Sequence, residues 1–296
     1  MEDTKQLQNM ASGKIFGTRL LRVNDHGHTE DLDYVVVEEP VEIMVEHGPA
    51  NERESTSVSI TMRTPGHDDL LATGFLYSEG LISRREEITE ISVTSEAASN
   101  KGNRVVVSLT TDATFDVASL SRNFYMTSSC GVCGKASIDA LRMHNLPFLE
   151  NGQPRFDSSF FHRLPEILLD EQRVFEHTGG LHAAALFDRD GKLVSLKEDV
   201  GRHNAVDKLI GESLLNEKLP LNNFVILVSG RISFELVQKA LMAGLPVMAA
   251  VGAPSSLAIQ LASRFGMTLI GFIRDGRYNI YSGRDRVFET IVKSKS

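Results

Sequence analysis

The fold is decided by a stretch that reads Phe224-Val225-Ile226-Leu227-Val228-Ser229-Gly230-Arg231, an apolar run that ends in a glycine turn. An apolar run of this length, bounded by turn residues, is typical of a strand that is buried on both faces. The pattern returns at residues 246–251 and 269–273, and apolar residues at helical spacing lie between the runs. Apolar strands that alternate with amphipathic helices predict an α/β fold, in which helices cover both faces of a parallel or mixed sheet.

The residues before this run extend the same pattern. A helix is expected at 160–172, with Pro165 in or near its first turns, where proline is tolerated. Apolar segments at 181–187 and 193–196 flank the turn Asp188-Arg189-Asp190-Gly191, which predicts a β-hairpin. A further helix is expected around residues 206–214, because its apolar residues recur at helical spacing.

The first half of the chain contains mostly short strands around one helix. Alternating apolar and polar residues predict strands near 14–23, 34–37, 41–45, 57–62 and 104–109. The helix is expected to begin at Asp68 or Asp69, either of which can cap it, and to end at Gly80. We therefore expect an α+β organisation overall, with a flexible tail at 1–13, a smaller strand-rich domain at 14–116 and a larger α/β domain at 117–296.

Composition and charge argue against several functional classes. The 296 residues carry a net charge of -8, which argues against a general nucleic-acid binder. Residues 1–13 contain no apolar signal-peptide core, and nowhere do 18 apolar residues run together, so we expect no membrane partner and a cytoplasmic location. In that reducing compartment a cysteine pair is more often reactive or metal-bound than a structural disulfide.

Sulfur chemistry has one place to occur, because Cys130 and Cys133 are the two cysteines of the chain. They lie in the segment Ser128-Ser129-Cys130-Gly131-Val132-Cys133-Gly134-Lys135, just before a predicted helix. The positive N-terminal end of that helix and the nearby Lys135 would lower the thiol pKa and favour the nucleophilic thiolate. This segment is therefore the main candidate for a reactive site.

Several chemistries compete for the cysteine pair. A structural zinc ion would need two further ligands from histidines or a second chain. A zinc deaminase would need H-x-E and P-C-x-x-C, but Ser129 takes the proline position, His28-Thr29-Glu30 lies in a turn far upstream, and Ala184 stands where the acid after His182 would be. Thioredoxin-like exchange is chemically reasonable, although its motif normally opens a helix in a much shorter chain. Sulfur carriage as a cysteine persulfide is the remaining alternative.

Three predicted strand ends are candidate ligand sites, because open α/β sheets bind ligands beyond the carboxyl ends of their strands. Exposed amides and arginines at these ends suit nucleotide phosphates, although any α/β protein needs such turns. Polar residues at 198–204 belong to the same cluster, and His182 after a glycine loop is equally compatible with a structural role. The three ends are Ser229-Gly230-Arg231, Gly252-Ala253-Pro254-Ser255-Ser256 and Phe272-Ile273-Arg274-Asp275-Gly276-Arg277.

Taken together, the motifs resemble those of the FdhD/NarQ family, the formate dehydrogenase accessory sulfurtransferases. The resemblance covers most of the chain, and several long motifs in the same order make it specific. The motifs are S-S-C-G-V-C-G-K at 128–135, T-G-G-L-H-A-A-A-L at 178–186, E-D-V-G-R-H-N-A-V-D-K-L-I-G at 198–211, S-G-R-I-S-F-E-L-V-Q-K-A at 229–240, V-G-A-P-S-S-L-A at 251–258 and G-F-I-R-D-G-R-Y-N-I-Y at 271–281.

The resemblance implies a fold, a reaction and a set of site residues. It implies a cytidine-deaminase-like C-terminal domain with three α/β/α layers that has lost zinc catalysis, so no zinc is expected. It also implies that a cysteine desulfurase loads sulfur onto Cys130 and Cys133, which pass it to the molybdenum cofactor bis-molybdopterin guanine dinucleotide before that cofactor enters formate dehydrogenase. Guanine nucleotides such as GDP should mimic this cofactor. The residues that the resemblance assigns to the cofactor are Phe272, Ile273, Arg274, Asp275, Gly276 and Arg277.

Two other functions remain open from the sequence. A non-catalytic chaperone would hold the cofactor and dock it on formate dehydrogenase without needing reactive thiols. A dithiol redox protein would use the same cysteines without carrying sulfur. The strand edges expected in the first half are also compatible with a homodimer.

Overall fold

The computed structural model describes residues 13–94, 103–113, 115 and 146–289. Within these residues the chain forms a four-stranded sheet, a six-stranded sheet, two smaller strand pairs and six α-helices. Residues 1–12 of the expected tail, the segment with Cys130 and Cys133, and the expected domain boundary at 116/117 lie outside the described residues. The division into two domains therefore stays a prediction.

The first half forms a β-hairpin and the four-stranded sheet, as the alternating patterns predicted. In the hairpin, β1 (Ile15–Asn24) pairs antiparallel with β2 (Gly27–Val36). One strand of the sheet, at residues 88–94, was not predicted. The sheet contains β3 (Glu39–His47), β4 (Glu54–Arg63), β5 (Ile88–Thr94) and β6 (Arg104–Leu109) in the spatial order β4-β3-β6-β5, and α1 (Asp68–Ser78) packs on its apolar face.

Helix α1 begins at the predicted residue, but the predicted cap is wrong. Its N-cap is His67, which has a left-handed φ of 58°, and no side chain caps the helix. Asp68 instead accepts two hydrogen bonds from Arg63, from Nε at 2.9 Å and from Nη2 at 2.8 Å. Because Arg63 is buried, its guanidinium requires a carboxylate partner, and this ion pair engages the side chain that could have capped the helix.

The second half forms the predicted mixed sheet. β10, β11 and β12 run parallel to one another, whereas β8, β9 and β13 are antiparallel to their neighbours. The spatial order is β13-β12-β11-β10-β8-β9. In chain order the elements are β7 (Phe156–Asp157), α2 (Ser158–Glu171), α3 (Arg173–Thr178), β8 (His182–Phe187), β9 (Leu193–Asp199), α4 (Arg202–Leu215), β10 (Val225–Val228), α5 (Phe234–Met242), β11 (Val247–Ala250), α6 (Ser256–Arg264), β12 (Thr268–Arg274), β13 (Arg277–Ser282) and β14 (Val287–Phe288).

Alternate residues of the six-stranded sheet fill two separate cores, because successive side chains of a strand point to opposite faces. On one face Ile226, Val228 and Met248 pack with residues of α4, α5 and α6. On the other face Val225 and Leu227 pack with residues of α2. The second half therefore has the three α/β/α layers expected of it, and the likeness to cytidine deaminases stays a prediction.

Helices α1 and α4 join the two halves at a crossing of two glycines. A Cβ on Gly74 would lie 1.8 Å from the carbonyl oxygen of Asp207, and a Cβ on Gly211 would lie 2.0 Å from that of Leu70. Since no side chain longer than hydrogen fits at either position, the helix backbones touch directly. This contact places the loop before α1 beside the N-terminus of α4.

Candidate functional site

The predicted persulfide residues Cys130 and Cys133 lie outside the described residues. The described part of the site is the edge of the six-stranded sheet where β10, β11 and β12 end. Because these strands are parallel neighbours, their carboxyl ends lie side by side. The strand order therefore brings the three predicted loops together.

Glycines hold these loops against one another. A Cβ on Gly252 would lie 2.6 Å from the carbonyl oxygen of Gly230, and one on Gly271 would lie 2.9 Å from Pro254 Cδ. The amide of Gly252 donates to Gly230 O at 3.2 Å, and that of Phe272 donates to Gly252 O at 3.1 Å. The sequence interpretation was that such amides are exposed for a ligand. In these two cases they bond to the neighbouring loop, so the glycines serve close packing.

The predicted cofactor segment forms the turn between β12 and β13. Phe272 has a left-handed φ of 56°, which is uncommon for a residue with a bulky side chain, whereas the φ of 52° at Asp275 is what Asp-Gly favours in a two-residue hairpin turn. Strained backbone of this kind is concentrated at functional sites. The Arg274 guanidinium lies 5.8 Å from the centre of the Phe272 ring, and the side chain of Ile273 is buried in the core. Arg274, Asp275, Gly276 and Arg277 therefore form the exposed part of the segment.

Arg277 also borders a surface cleft between β13 and α2. The cleft has a volume of about 820 Å³ and is lined by Arg155, His162, Tyr278 and Arg284 among others. The Tyr278 hydroxyl donates to Ser158 O at 3.1 Å, which ties β13 to the start of α2. Three arginines and two carboxylates, Asp285 and Glu289, line the cleft, so it keeps an excess of one positive charge in a volume that suits a nucleotide phosphate.

A second polar cluster lies near the other end of the same edge, where α4 and α5 begin. His203 Nε2 lies 3.1 Å from Ser233 Oγ and 3.9 Å from a carboxylate oxygen of Glu235. Burial, together with the charges of Lys239 and Arg202, lowers the pKa of His203 to about 4. Burial and Arg202 also lower the pKa of His182. Both imidazoles are therefore neutral at pH 7.

A buried polar network lies next to this cluster and holds its elements together. The carboxylate of Asp199 accepts hydrogen bonds from Gly201 N at 2.8 Å and Asn204 Nδ2 at 2.9 Å. Its other oxygen lies 2.6 Å from Lys208 Nζ, which also donates to Thr64 O at 3.0 Å. The Asp199 and Lys208 side chains are almost completely buried. The network fixes the first turn of α4 against the loop before α1.

The network explains residues whose role the sequence left open. Asn204 was compatible with a simple helix start, but its amide also donates to Met62 O at 2.8 Å. Glu198 accepts a hydrogen bond from Phe175 N at 3.3 Å, and burial raises its pKa. His28-Thr29-Glu30 lies on the strand β2 and not in a turn, so that prediction was wrong. Among the described residues, no group of three or more His, Cys, Asp or Glu side chains is placed to hold a metal ion.

A model of the FdhD/NarQ family matches residues 36–288. The chain belongs to the FdhD/NarQ family. It is 48% identical over 273 residues to the Sulfur carrier protein FdhD of Streptomyces coelicolor, covering 91% of this chain and 94% of that protein. It is 45% identical over 267 residues to the Sulfur carrier protein FdhD of Mycobacterium tuberculosis, covering 86% of this chain and 91% of that protein.

A solved structure shares the fold of this FdhD/NarQ chain. It is a crystal structure from Desulfotalea psychrophila, provisionally described as a formate dehydrogenase accessory protein. The TM-score is 0.70 at 25% sequence identity, with 93% of this chain and 100% of the other covered. The mixed α/β architecture is thus that of a described accessory protein.

Membership of the FdhD/NarQ family confirms the resemblance drawn from the six motifs. Five of the motifs meet at one edge of the sheet. A Cβ on Gly230 would lie 3.2 Å from the His182 ring, and one on Gly271 would lie 3.1 Å from Gly252 O. His182 in turn pairs with Asp199 across β8 and β9. No helix in the described ranges is long and apolar enough to cross a membrane.

Proposed function

We propose that this protein carries sulfur for the maturation of formate dehydrogenase. Cys130 and Cys133 form the persulfide pair, a cysteine desulfurase is the donor, and bis-molybdopterin guanine dinucleotide is the acceptor. One observation carries the proposal: the C-x-x-C pair occurs in an FdhD/NarQ chain whose relatives, matched over most of their length, are named sulfur carrier proteins. The loading and release steps follow from the reactivity of the two thiols.

The loading step is a thiolate attack on a persulfide. The Cys130 thiolate forms a bond to the terminal sulfur of the donor persulfide, the donor S–S bond breaks, and the donor cysteine leaves as a thiolate. In the release step the Cys133 thiolate attacks Cys130 Sγ and displaces the terminal sulfur as hydrosulfide. The two electrons that reduce this sulfur come from the thiol pair, which becomes a disulfide.

Two exposed arginines support the proposed sulfur acceptor, because its guanine dinucleotide carries phosphate groups. Arg274 and Arg277 are exposed on the β12–β13 turn, and Arg277 also borders the cleft of about 820 Å³. Arginine pairs with phosphate oxygens through two parallel hydrogen bonds, so this turn suits a guanine dinucleotide or its mimic GDP. We further propose that the protein works in the cytoplasm, where thiols stay reduced, and that it forms a homodimer.

Intact mass after incubation with a cysteine desulfurase and cysteine tests the carrier role. We expect a gain of about 32 Da that reductant removes, because a persulfide is a reversible modification. Cys130→Ala/Cys133→Ala should show no gain, whereas the neighbouring control Ser129→Ala should load like the wild-type protein. The proposal fails if the double cysteine variant still supports formate dehydrogenase maturation.

Two alternatives make different use of the same features. The arginine-lined cleft would serve a cofactor chaperone equally well, and such a protein would mature its client even without the cysteines. The C-x-x-C pair would also serve a redox protein, which would lose two hydrogens on oxidation and gain no sulfur. The mass measurement and the maturation assay together separate these three functions.

A further inference from the structure

Arg202 has a buried nitrogen without a partner. It is the first residue of α4, and its Nε is, within the described part of the chain, the buried side-chain nitrogen or oxygen that lacks a hydrogen bond. A buried donor on a charged group is costly to leave unpaired, and such atoms in native structures usually face an unseen ligand or water. This nitrogen therefore marks a place where an acceptor group fits.

The side chains around Arg202 can also bind an acceptor. His182 and His203 both experience the positive charge of Arg202, which lowers the pKa of each. His203 reaches Ser233 Oγ, which lies at the start of α5. The Ser233 hydroxyl also bonds the Glu235 carboxylate, so its proton and His203 Nε2 are engaged there. A neutral imidazole can donate one hydrogen bond to an oxygen atom, so the cluster combines one permanent cation with a donor at His182, and His203 gains a second donor when it is protonated.

The nearby carboxylates do not neutralise Arg202. Asp199 is buried and is paired with Lys208 at 2.6 Å, so its charge is already balanced. Glu235 lies 3.9 Å from His203 Nε2 and interacts with Arg202, which helps to lower the pKa of Glu235, but its side chain is 61% exposed, so solvent screens much of its charge. The positive field of Arg202 is therefore only partly offset.

The helix backbones add to this field. α4 has 14 residues and begins after Gly201, which has no side chain to cap it. α5 has nine residues, and its N-cap Ser233 makes no side-chain cap hydrogen bond. The first amides of a helix carry a partial positive charge, and here two such ends converge on Arg202 and His203.

The geometry points to an oxyanion site at Arg202, His182 and His203 that binds a phosphoryl group. A guanidinium binds two oxygens of such a group side by side, and Nε would supply one of the two donors. β8 and β12 are separated by β10 and β11, so this site lies about 14 Å from the β12–β13 turn at an interstrand spacing of about 4.8 Å. It is thus separate from the turn that carries Arg274 and Arg277, and it does not depend on the thiols.

Both imidazoles are neutral in the free protein, and a bound anion raises their pKa, so anion binding favours their protonation. The groups that face them from neighbouring elements act in both directions, since Lys239 and Arg202 oppose protonation whereas Glu235 and Asp199 favour it.

Titration calorimetry of the full-length protein with inorganic pyrophosphate tests the site. We expect Arg202→Gln to weaken pyrophosphate binding about tenfold or more, because a charge-assisted hydrogen-bond pair is lost. Arg202→Lys should restore part of the affinity, since it keeps the charge without the planar fork. Arg189→Gln, on the exposed turn between β8 and β9, is the charge-matched control and should bind like wild type.

Several outcomes would overturn the inference. It fails if the wild-type protein binds no pyrophosphate, or if Arg202→Gln binds it with unchanged affinity. Thermal unfolding of each variant separates lost binding from lost folding, and if Arg202→Gln does not fold, unchanged binding by His182→Phe combined with His203→Phe overturns the site instead.

The source of the phosphoryl group is decided by competition. If GDP displaces pyrophosphate and guanosine does not, the site holds a phosphate of a nucleotide. If GDP binding depends on Arg274 and Arg277 while pyrophosphate binding depends on Arg202, the site takes a free phosphate. Either result supports the oxyanion site, and neither depends on sulfur loading at Cys130, so its failure is distinguishable from failure of the carrier role.

Discussion

The buried carboxylate of Asp199 is the residue that most of the site geometry depends on. It accepts hydrogen bonds from Gly201 and Asn204 and pairs with Lys208 at 2.6 Å. We expect Asp199→Asn to destabilise the protein by about 3–5 kcal/mol, because it leaves the buried Lys208 ammonium without a counter-ion. Urea unfolding of the purified variant measures this loss.

A double variant separates charge from shape at the same position. Asp199→Asn combined with Lys208→Met removes both charges, so it should recover much of the stability lost by Asp199→Asn alone. The exposed pair Arg22–Asp31, with side chains 58% and 49% exposed, is the control, and Asp31→Asn should cost less than about 1 kcal/mol. A strictly additive double variant would contradict the account.

His203 should make stability depend on pH. Its pKa is about 4 when folded, against about 6.5 when unfolded, so the folded state binds fewer protons between these values. The contribution is therefore fully present above pH 6.5 and is lost as the pH falls towards 4. Because 37% of the side chain is exposed, solvent screening reduces the expected loss between pH 7 and pH 5 to about 1 kcal/mol.

His203→Gln isolates this contribution. The variant should lose about 1 kcal/mol less than the wild-type protein between pH 7 and pH 5, as measured by urea unfolding at the two pH values. Identical pH profiles for the two proteins would show that His203 is protonated normally in the folded state.

Single residues also show which features of the site could not be predicted from the sequence. The polar stretch around Asp199 and Asn204 could be recognised, because charged residues directly follow an apolar strand. Their partners could not, since Asn204 bonds to Met62, which is 142 residues away. The role of Arg202 was equally hidden, because burial of its Nε arises only in the folded structure.

At the scale of elements, helix α1 touches α4 through Gly74. Alanine normally favours a helix over glycine by about 1 kcal/mol, so propensity alone predicts that Gly74→Ala stabilises. A Cβ there would lie 1.8 Å from Asp207 O, and the helices would have to separate. We expect a net destabilisation of about 3 kcal/mol, measured by urea unfolding.

A substitution away from the crossing provides the comparison. Glu166→Ala on the exposed side of α2 should change stability by less than about 0.5 kcal/mol. If Gly74→Ala were as stable as the wild-type protein, the two helices could not be as close as the structure places them.

The sequence was most informative about individual helices and strands. The buried strands and the hairpin at Asp188 followed from apolar runs and turn residues, since these signals are local. The cap of α1 did not, because Asp68 pairs with Arg63 across the preceding loop. Glycines at strand ends were recognised as special, but a sequence does not distinguish an exposed amide from one bonded to the next loop.

At the scale of the whole molecule, the sequence predicted the layers of helices and sheet in the second half. It did not predict how the two halves of the chain pack together. Strand–helix alternation in the second half implied helices on both faces of a sheet. Nothing in the local pattern indicated that α1 of the strand-rich half packs on α4 of the other half. That contact follows from matching glycines and from polar groups far apart in the chain, such as Ser78 and Asp207.

The docking of the two halves predicts how the protein unfolds. The Tyr77 hydroxyl donates to Met242 O at 3.0 Å, joining α1 to α5. Ser78 Oγ donates to Asp207 Oδ1 at 3.0 Å, and Lys239 Nζ reaches both oxygens of that carboxylate at 2.9 Å. Separating the halves would break the hydrogen bonds of Tyr77 and Ser78, which cross between them, so neither half should unfold alone. Scanning calorimetry of the full chain should show one transition, with equal calorimetric and van't Hoff enthalpies.

Tyr77→Phe should lower the Tm of that single transition by about 2 °C, because one buried hydrogen bond is lost. Two transitions, of which Tyr77→Phe moved only the lower, would show instead that the halves fold independently.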